Sequence, residues 1–185
     1  MTPLDAARRI AAVLSDDGVR YALGGALALG VWGLPRATKD VDISIFVRRD
    51  ELPRVLDLLE HAGVMVHHED ARRGVERNGL FNGRCGTITI DVFLSEHPQY
   101  ADMARRARSV VDSTGQTLWF ISAEDLCLHK LIFGRPKDVI DLEGMLAVRP
   151  IDFDYVADWL DKMTPEGDPR RAVLVDLRKR FGTTP

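Results

Sequence analysis

At 185 residues, 45% hydrophobic and 29% charged, the chain is long enough for a proper core and ordinary in composition, and no repeat or low-complexity segment is visible. A net charge of −3 excludes a whole-molecule field that would advertise nucleic-acid binding, and the two cysteines, Cys85 and Cys127, have neither metal-type spacing nor the pattern of a disulfide framework. No signal pattern opens the chain and no apolar run is long enough to cross a bilayer, so a cytoplasmic protein with no membrane attachment is expected.

In chain order, Pro3 to Ser15 reads as a helix with Thr2 at its N-cap and Pro3 in the first turn. Val19 to Leu23 is a short strand running into Gly24-Gly25, and Ala26 to Trp32 is a helix of small residues closed by Gly33 and Pro35. Asp40 to Val47 is a strand, and Asp50 caps a helix from Glu51 to Ala62 that Gly63 ends. Val64 to His67 reads as a strand, and the polar stretch from Glu69 to Arg77 as a loop. Gly79 to Asn82 and Thr87 to Leu94 flank Gly83-Arg84-Cys85-Gly86 as a hairpin. Pro98 to Arg108 is helical and Gln116 to Ile121 is a last strand. Helices then follow over Ala123–Phe133, Lys137–Val148, Phe153–Met163 and Pro169–Phe181. The expected layout is an α/β (α+β) fold, a mixed sheet of four to six strands flanked by helices with a C-terminal helical extension. Residues 1–121 would form the catalytic core and 122–185 a helical part completing its active site, as one compact domain.

The chemistry is concentrated in three aspartates. Residues two apart on a strand share a face, so Asp40, Asp42 and Ser44 lie opposite Val41, Ile43 and Ile45. Two strand rises separate the two carboxylates by about 6–7 Å at the backbone. Asp91 lies in a second strand, between Ile90 and Val92. Like charges this close to apolar strands are unfavourable without a cation or a basic partner. Oxygen ligands of this kind suit Mg²⁺ or Mn²⁺, and a third carboxylate lets a second ion bind about 3.5–4 Å from the first, as in-line displacement at phosphorus requires. Gly24-Gly25 is either a strand-to-helix turn with positive φ or a close backbone approach to phosphate.

Other residues carry two readings each. Arg36 and Thr38 are either loop residues or, respectively, a partner for the acids or phosphate and a support for the Asp40 carboxylate. Lys130 shares a helix face with Leu126, Cys127 and Phe133, so it either snorkels or meets an anion. His67-His68-Glu69-Asp70 cannot easily converge on a metal because adjacent strand residues point opposite ways. The arginine clusters at residues 72–73, 105–108, 170–171 and 178–180 read as solvated helix faces.

The order Gly24-Gly25, Arg36-Ala37-Thr38-Lys39-Asp40-Val41-Asp42-Ile43, Asp91, then a helix carrying Lys130 and a helix opening Lys137-Asp138-Val139-Ile140-Asp141, resembles the nucleotidyltransferase superfamily with the polymerase-β-like fold. It is most similar to small bacterial abortive-infection type nucleotidyltransferases, which are toxin-like. The resemblance covers roughly Val19 to Met145. It implies transfer of a nucleoside monophosphate from an NTP to a hydroxyl acceptor, with two Mg²⁺ or Mn²⁺ ions held by Asp40, Asp42 and Asp91. It implies nucleotide contacts from Gly24, Gly25, Arg36, Thr38, Lys130, Lys137 and Asp138. In Lys137-Asp138 the plain reading, first-turn residues favoured by the helix dipole, stands beside it. The family often has Ser after the first glycine; here it is Gly25. Implied partners are NTP, an acceptor tRNA, protein or small molecule, and a cognate antitoxin. Arg72, Arg73, Arg105, Arg106 and Arg108 would line a basic groove for a nucleic-acid acceptor; Asp154, Asp158 and Trp159 would line a pocket for an aminoglycoside or lincosamide. An inert nucleotide- or partner-binding protein on the same fold is the alternative of another class.

Overall fold

The N-terminal turn shows how locally the sequence writes its structure. Helix α1 (Pro3–Asp16) is closed by a reciprocal capping box: the Asp5 N–H donates to Thr2 Oγ1 at 3.2 Å and the Thr2 N–H to the Asp5 carboxylate at 2.8 Å. In the computed structural model, which describes residues 1–182, the chain divides into two units. The first is Met1–Leu27 with Ala37–Ile121; the second is Ala28–Arg36 with the chain from Ser122 onward.

The first unit is built on strands β1 (Tyr21–Leu23), β2 (Asp40–Ile45), β3 (Met65–Val66), β4 (Leu80–Cys85), β5 (Ile88–Phe93), β6 (Arg108–Val111) and β7 (Thr117–Phe120). They form one mixed sheet in the order β3-β4-β5-β2-β1-β7-β6. β2 is antiparallel to β1 and parallel to β5, and β4 and β5 are an antiparallel hairpin. Helices α3 (Leu52–His61), α4 (His68–Asn78) and α5 (Pro98–Arg106) complete the unit with α1. Strand alternation sorts the two faces. Val41, Ile43, Ile90, Val92, Phe81 and Cys85 are buried, whereas Asp40, Asp42, Thr89 and Asp91 are half-buried and Asn82 and Arg84 exposed. Polar chemistry is therefore confined to one open face at the centre of the sheet.

Helix α2 (Gly25–Trp32) begins in the first unit. The second unit is otherwise helical: α6 (Ala123–Phe133), α7 (Pro136–Leu146), α8 (Phe153–Met163) and α9 (Pro169–Phe181). Its core is Leu126, Leu131, Leu142, Met145, Val156, Leu160, Leu174 and Leu177. Asp125, fully buried, accepts from Ser122 Oγ at 2.6 Å and from the Tyr155 hydroxyl at 2.7 Å, which satisfies a polar group that burial alone would make costly. No helix among the described residues is long and apolar enough to cross a membrane.

Four expectations are corrected. The turn expected over Gly83-Arg84-Cys85-Gly86 lies at Gly86-Thr87, because β4 runs on through Cys85 to face Ile88. The loop expected over Glu69–Arg77 is helix α4, whose apolar face is only Ala71, Gly74 and Val75 and whose end is set by Gly79 in the left-handed region (φ 71°). The helix expected to reach Arg108 stops at Arg106, and Arg108–Val111 forms β6 on β7, so the sheet has seven strands rather than four to six. Helix α3 begins at Leu52 behind a short 3-10 turn, Arg49–Glu51, which places Asp50 inside that turn and not at the cap.

Candidate active site

The register of β4, β5 and β2 arranges the open face as a grid. One row across the three strands is Asn82, Asp91, Asp42; the next is Arg84, Thr89, Asp40. Asp42 and Asp91 are direct neighbours on parallel strands, about 4.8 Å apart at the backbone, a spacing that lets their carboxylates reach one point above the sheet. Asp40 follows two residues away on the same face.

Each acid is supported by a neighbour. Asp91 accepts a hydrogen bond from the side-chain amide of Asn82. Asp42 lies against Gly25: a Cβ placed on Gly25 would be 1.8 Å from Asp42 Oδ2 and 2.5 Å from its Cγ. Gly25 also has φ 53°, a conformation that side-chain-bearing residues resist. The Gly24 N–H donates to the Asp42 carbonyl at 2.8 Å. The glycine pair thus admits the Asp42 carboxylate and pins its backbone, a local structural reason that the sequence reading did not contain. Thr38 acts on the main chain and not on the expected carboxylate: the Asp40 N–H donates to Thr38 Oγ1 at 3.2 Å, and Thr38 Oγ1 donates to the Asp40 carbonyl at 3.3 Å. Among the described residues no three His, Cys, Asp or Glu side chains converge as a ready metal cage; Asp42 and Asp91 stand side by side, with Asp42 turned to Gly25 and Asp91 to Asn82.

Within the helical unit, Arg36, Lys130 and Asp138 cluster around Asp141 and Arg135. Arg36 makes a bidentate pair with Asp141, Nε–Oδ1 at 2.9 Å and Nη2–Oδ2 at 3.0 Å. Lys130, only 4% exposed, donates to Asp141 at 2.5 Å and to Asp138 at 3.4 Å. Arg135 adds a pair to Asp138 at 2.7 Å. Burial pushes the carboxyls of Asp138 and Asp141 up. Arg135 and Lys130 for the first, Arg36 and Lys130 for the second, more than reverse this and hold both below the ordinary carboxylate range. The Lys130 ammonium therefore already has two anions, whereas Lys137 is exposed with no ion pair among the described residues.

This buried network yields a stability prediction. Asp141→Asn removes one anion from two cations and should cost roughly 3–5 kcal/mol, the usual penalty for opening a buried pair. Because the folded carboxyls titrate below the unfolded value of about 3.9, the stability they contribute is full above that pH and lost as pH falls through the folded values. Urea melts from pH 7 to 2 should show wild type losing that increment only below about pH 4; the variant should be weaker at neutral pH with a flatter acid limb.

Other expected clusters have local partners. Asp154 pairs with Arg178 at 2.7 Å and Asp158 with Lys162 at 2.5 Å, while Trp159 is packed in the core. Arg72, Arg73 and Arg105 pair with Glu69, Asp70 and Asp102 one turn away, as solvated helix faces do. His67 pairs with Asp70 and His68 with Glu60, so the two histidines point to different partners. Sequence reasoning missed Asn82 and Arg135. The turn expected over Gly83–Gly86 hid the role of Asn82; the observed register, with Cys85 facing Ile88, sets Asn82 opposite Asp91.

A family model described as nucleotidyl transferase AbiEii toxin, type IV toxin–antitoxin system, matches residues 8–179. The chain belongs to the AbiEii nucleotidyltransferase toxin family. It is a nucleotidyltransferase. No curated protein sequence matches it significantly. Solved structures agree on the fold. The antibiotic-resistance factor ANT(2'')-Ia is similar at a TM-score of 0.55 and 12% identity, over 98% of this chain and 95% of that one. The lincosamide antibiotic adenylyltransferase LnuA is similar at 0.50 and 14%, over 74% and 91%. An antigenic nucleotidyltransferase-like protein from Paracoccidioides brasiliensis is similar at 0.50 and 13%, over 96% and 89%. These likenesses carry the polymerase-β-like fold.

Proposed function

We propose that this nucleotidyltransferase moves a nucleoside monophosphate from an NTP to a hydroxyl acceptor on the open face of the sheet, with Asp40, Asp42 and Asp91 as its metal-holding and catalytic residues. The observation that carries the reading is the register of Asp42 beside Asp91 on parallel strands, with Asp40 two residues along. All three are hard oxygen donors on a half-open face, the donor type that suits Mg²⁺ or Mn²⁺ ligated jointly with phosphate oxygens. When bound, such ions neutralise charge on the triphosphate and polarise the phosphorus under attack.

The side chains have distinct parts in this reading. Asp40 and Asp42 would hold the ion that offsets the charge of the triphosphate. Asp91 receives the proton of the acceptor hydroxyl, whose oxygen bonds to the α-phosphorus as the bond to the departing pyrophosphate breaks. Asn82 holds Asp91 in place. The first-turn N–H groups of α2, which have no partner within the helix, offer donors to phosphate. Nucleotide contacts from Arg36, Lys130, Lys137 and Asp138 of the helical unit remain part of the proposal; Arg36 and Lys130 are also braced by Asp141, and Lys130 by Asp138, whereas Lys137 has no ion pair among the described residues. A cognate antitoxin follows from the family and is part of the proposal. We favour a toxin-like acceptor, RNA or protein, over a drug, because the family model that matches the chain describes a toxin.

Incubation with each NTP, Mg²⁺ and separate RNA, protein and antibiotic panels, read by mass spectrometry, tests the reading. One acceptor should gain the mass of a nucleoside monophosphate, and pyrophosphate should appear in equal amount. Retention of full transfer in an Asp91→Asn variant would sink it. Asn82→Ala, at an exposed position, should leave the fold intact and raise the half-saturating Mg²⁺ concentration about ten- to a hundredfold, the usual cost of losing the group that orients a ligand. Unchanged Mg²⁺ dependence would show that Asn82 does not act through Asp91.

A further inference from the structure

We propose that the trough between α4 and β4 is the acceptor subsite, and that Arg77 and Arg84 select an acceptor that carries phosphate. This rests on the transfer reading above and extends it to the acceptor.

The trough exists because the sheet edge is incomplete. β3 is two residues long and pairs only with Gly83 and Arg84, so the stretch Leu80–Asn82 of β4 has no strand outside it. Helix α4 fills that edge. It comes close because Gly74 has no side chain: a Cβ there would stand 2.2 Å from the Leu80 carbonyl oxygen. What remains is a cavity of about 420 Å³ lined by His67, Asp70, Arg73, Arg77, Leu80 and Asn82, among others. Asn82 is also the residue that hydrogen-bonds Asp91. The trough therefore starts beside the carboxylate assigned to the acceptor hydroxyl and leads away from Asp40 and Asp42.

Its charge is unbalanced. Asp70, its acid, is held by His67 at 3.1 Å and by Arg73. Arg77 is exposed on the same lining, and Arg84 is exposed on the open face two residues from Asn82. Neither has an ion pair among the described residues. Two uncommitted guanidinium groups beside a row of carboxylates attract an anion and repel a polycation such as an aminoglycoside. Arginine forks match phosphate oxygens in two-point geometry. A phosphate held here would fix the position of the chain that presents the hydroxyl, while the reacting atoms are set by Asp91.

The test uses the full chain and two phosphate-bearing probes: a short 5′-fluorescent single-stranded RNA with a free 3′ hydroxyl, and ribose 5-phosphate as competitor. Arg77→Ala and Arg84→Ala, both at exposed sites, should fold as wild type by circular dichroism. Each should weaken RNA binding about five- to tenfold, as loss of a partly hydrated charge-assisted contact does. Each should also reduce the slope of log affinity against log salt by about 0.7. Arg77→Lys should recover part of the affinity by restoring charge. NTP affinity, measured by calorimetry on the same samples, should not change. Competition by ribose 5-phosphate at similar concentration points to a small phosphorylated acceptor, and failure to compete points to a nucleic-acid strand; both support a phosphate-selecting trough. The proposal is overturned if wild type binds neither probe, or if Arg77→Ala and Arg84→Ala bind both as wild type does. Absence of NTP binding by wild type would instead undo the transfer reading itself.

Discussion

Asp42→Asn is expected to abolish Mg²⁺-dependent NTP binding and to lower transfer about a thousandfold or more while keeping the fold. The substitution removes charge without volume, and a metal contributes several kcal/mol to the transition state at about 1.4 kcal/mol per factor of ten. The fold should survive because the carboxylate occupies a half-buried face, held by position against Gly25. Without metal, thermal stability should hold level or rise, since Asp42 faces Asp91 in register and one of two neighbouring like charges is gone. Calorimetry with Mg²⁺ and NTP decides the first part and a thermal melt in chelator the second; equal nucleotide affinity in the variant would contradict the assignment.

Gly25→Val should damage both stability and activity, for a reason visible only in three dimensions. A Cβ at Gly25 would meet the Asp42 carboxylate at 1.8 Å, and φ is 53°. Overpacking costs about 1–3 kcal/mol and a left-handed backbone at a side-chain-bearing residue about 1–2 more, so a loss of about 2–5 kcal/mol is expected. The clash is with one named group, which gives a sharper test. Gly25→Ala and Asp42→Ala should couple in a double-mutant cycle by more than about 1 kcal/mol, because removing the carboxylate frees the space the new methyl needs. The double variant should regain stability and remain inactive. Additive effects would show that the glycine serves something other than Asp42.

The strands carrying the acids were legible because both signals are local: period-two alternation around Asp42 and Asp91, and a glycine pair after an apolar run. The helices from Ala123 to Phe181 were legible for the same reason, through caps and apolar spacing; Ser122 does accept from the Asp125 N–H at 3.1 Å. Helix α4 was not, since its sequence is charged and its apolar face is three small residues. Strand β6 was not, because an edge strand exposing Arg108, Ser109 and Val111 lacks the alternation of a half-buried one. The partners of Lys130 and Arg36 depend on packing between residues up to 105 positions apart, which no local pattern encodes. Asn82 lay between these cases: its role follows from hairpin register, once the turn is placed.

The central claim is that Asp40, Asp42 and Asp91 hold the catalytic cations with the nucleotide. Its most direct test is a crystal grown with Mn²⁺ and a non-hydrolysable NTP, examined by anomalous scattering at the manganese edge. The account predicts manganese peaks about 2.1 Å from carboxylate oxygens of Asp42 and Asp91, shared with triphosphate oxygens. Nucleotide bound with its phosphates and manganese remote from these three side chains would contradict it.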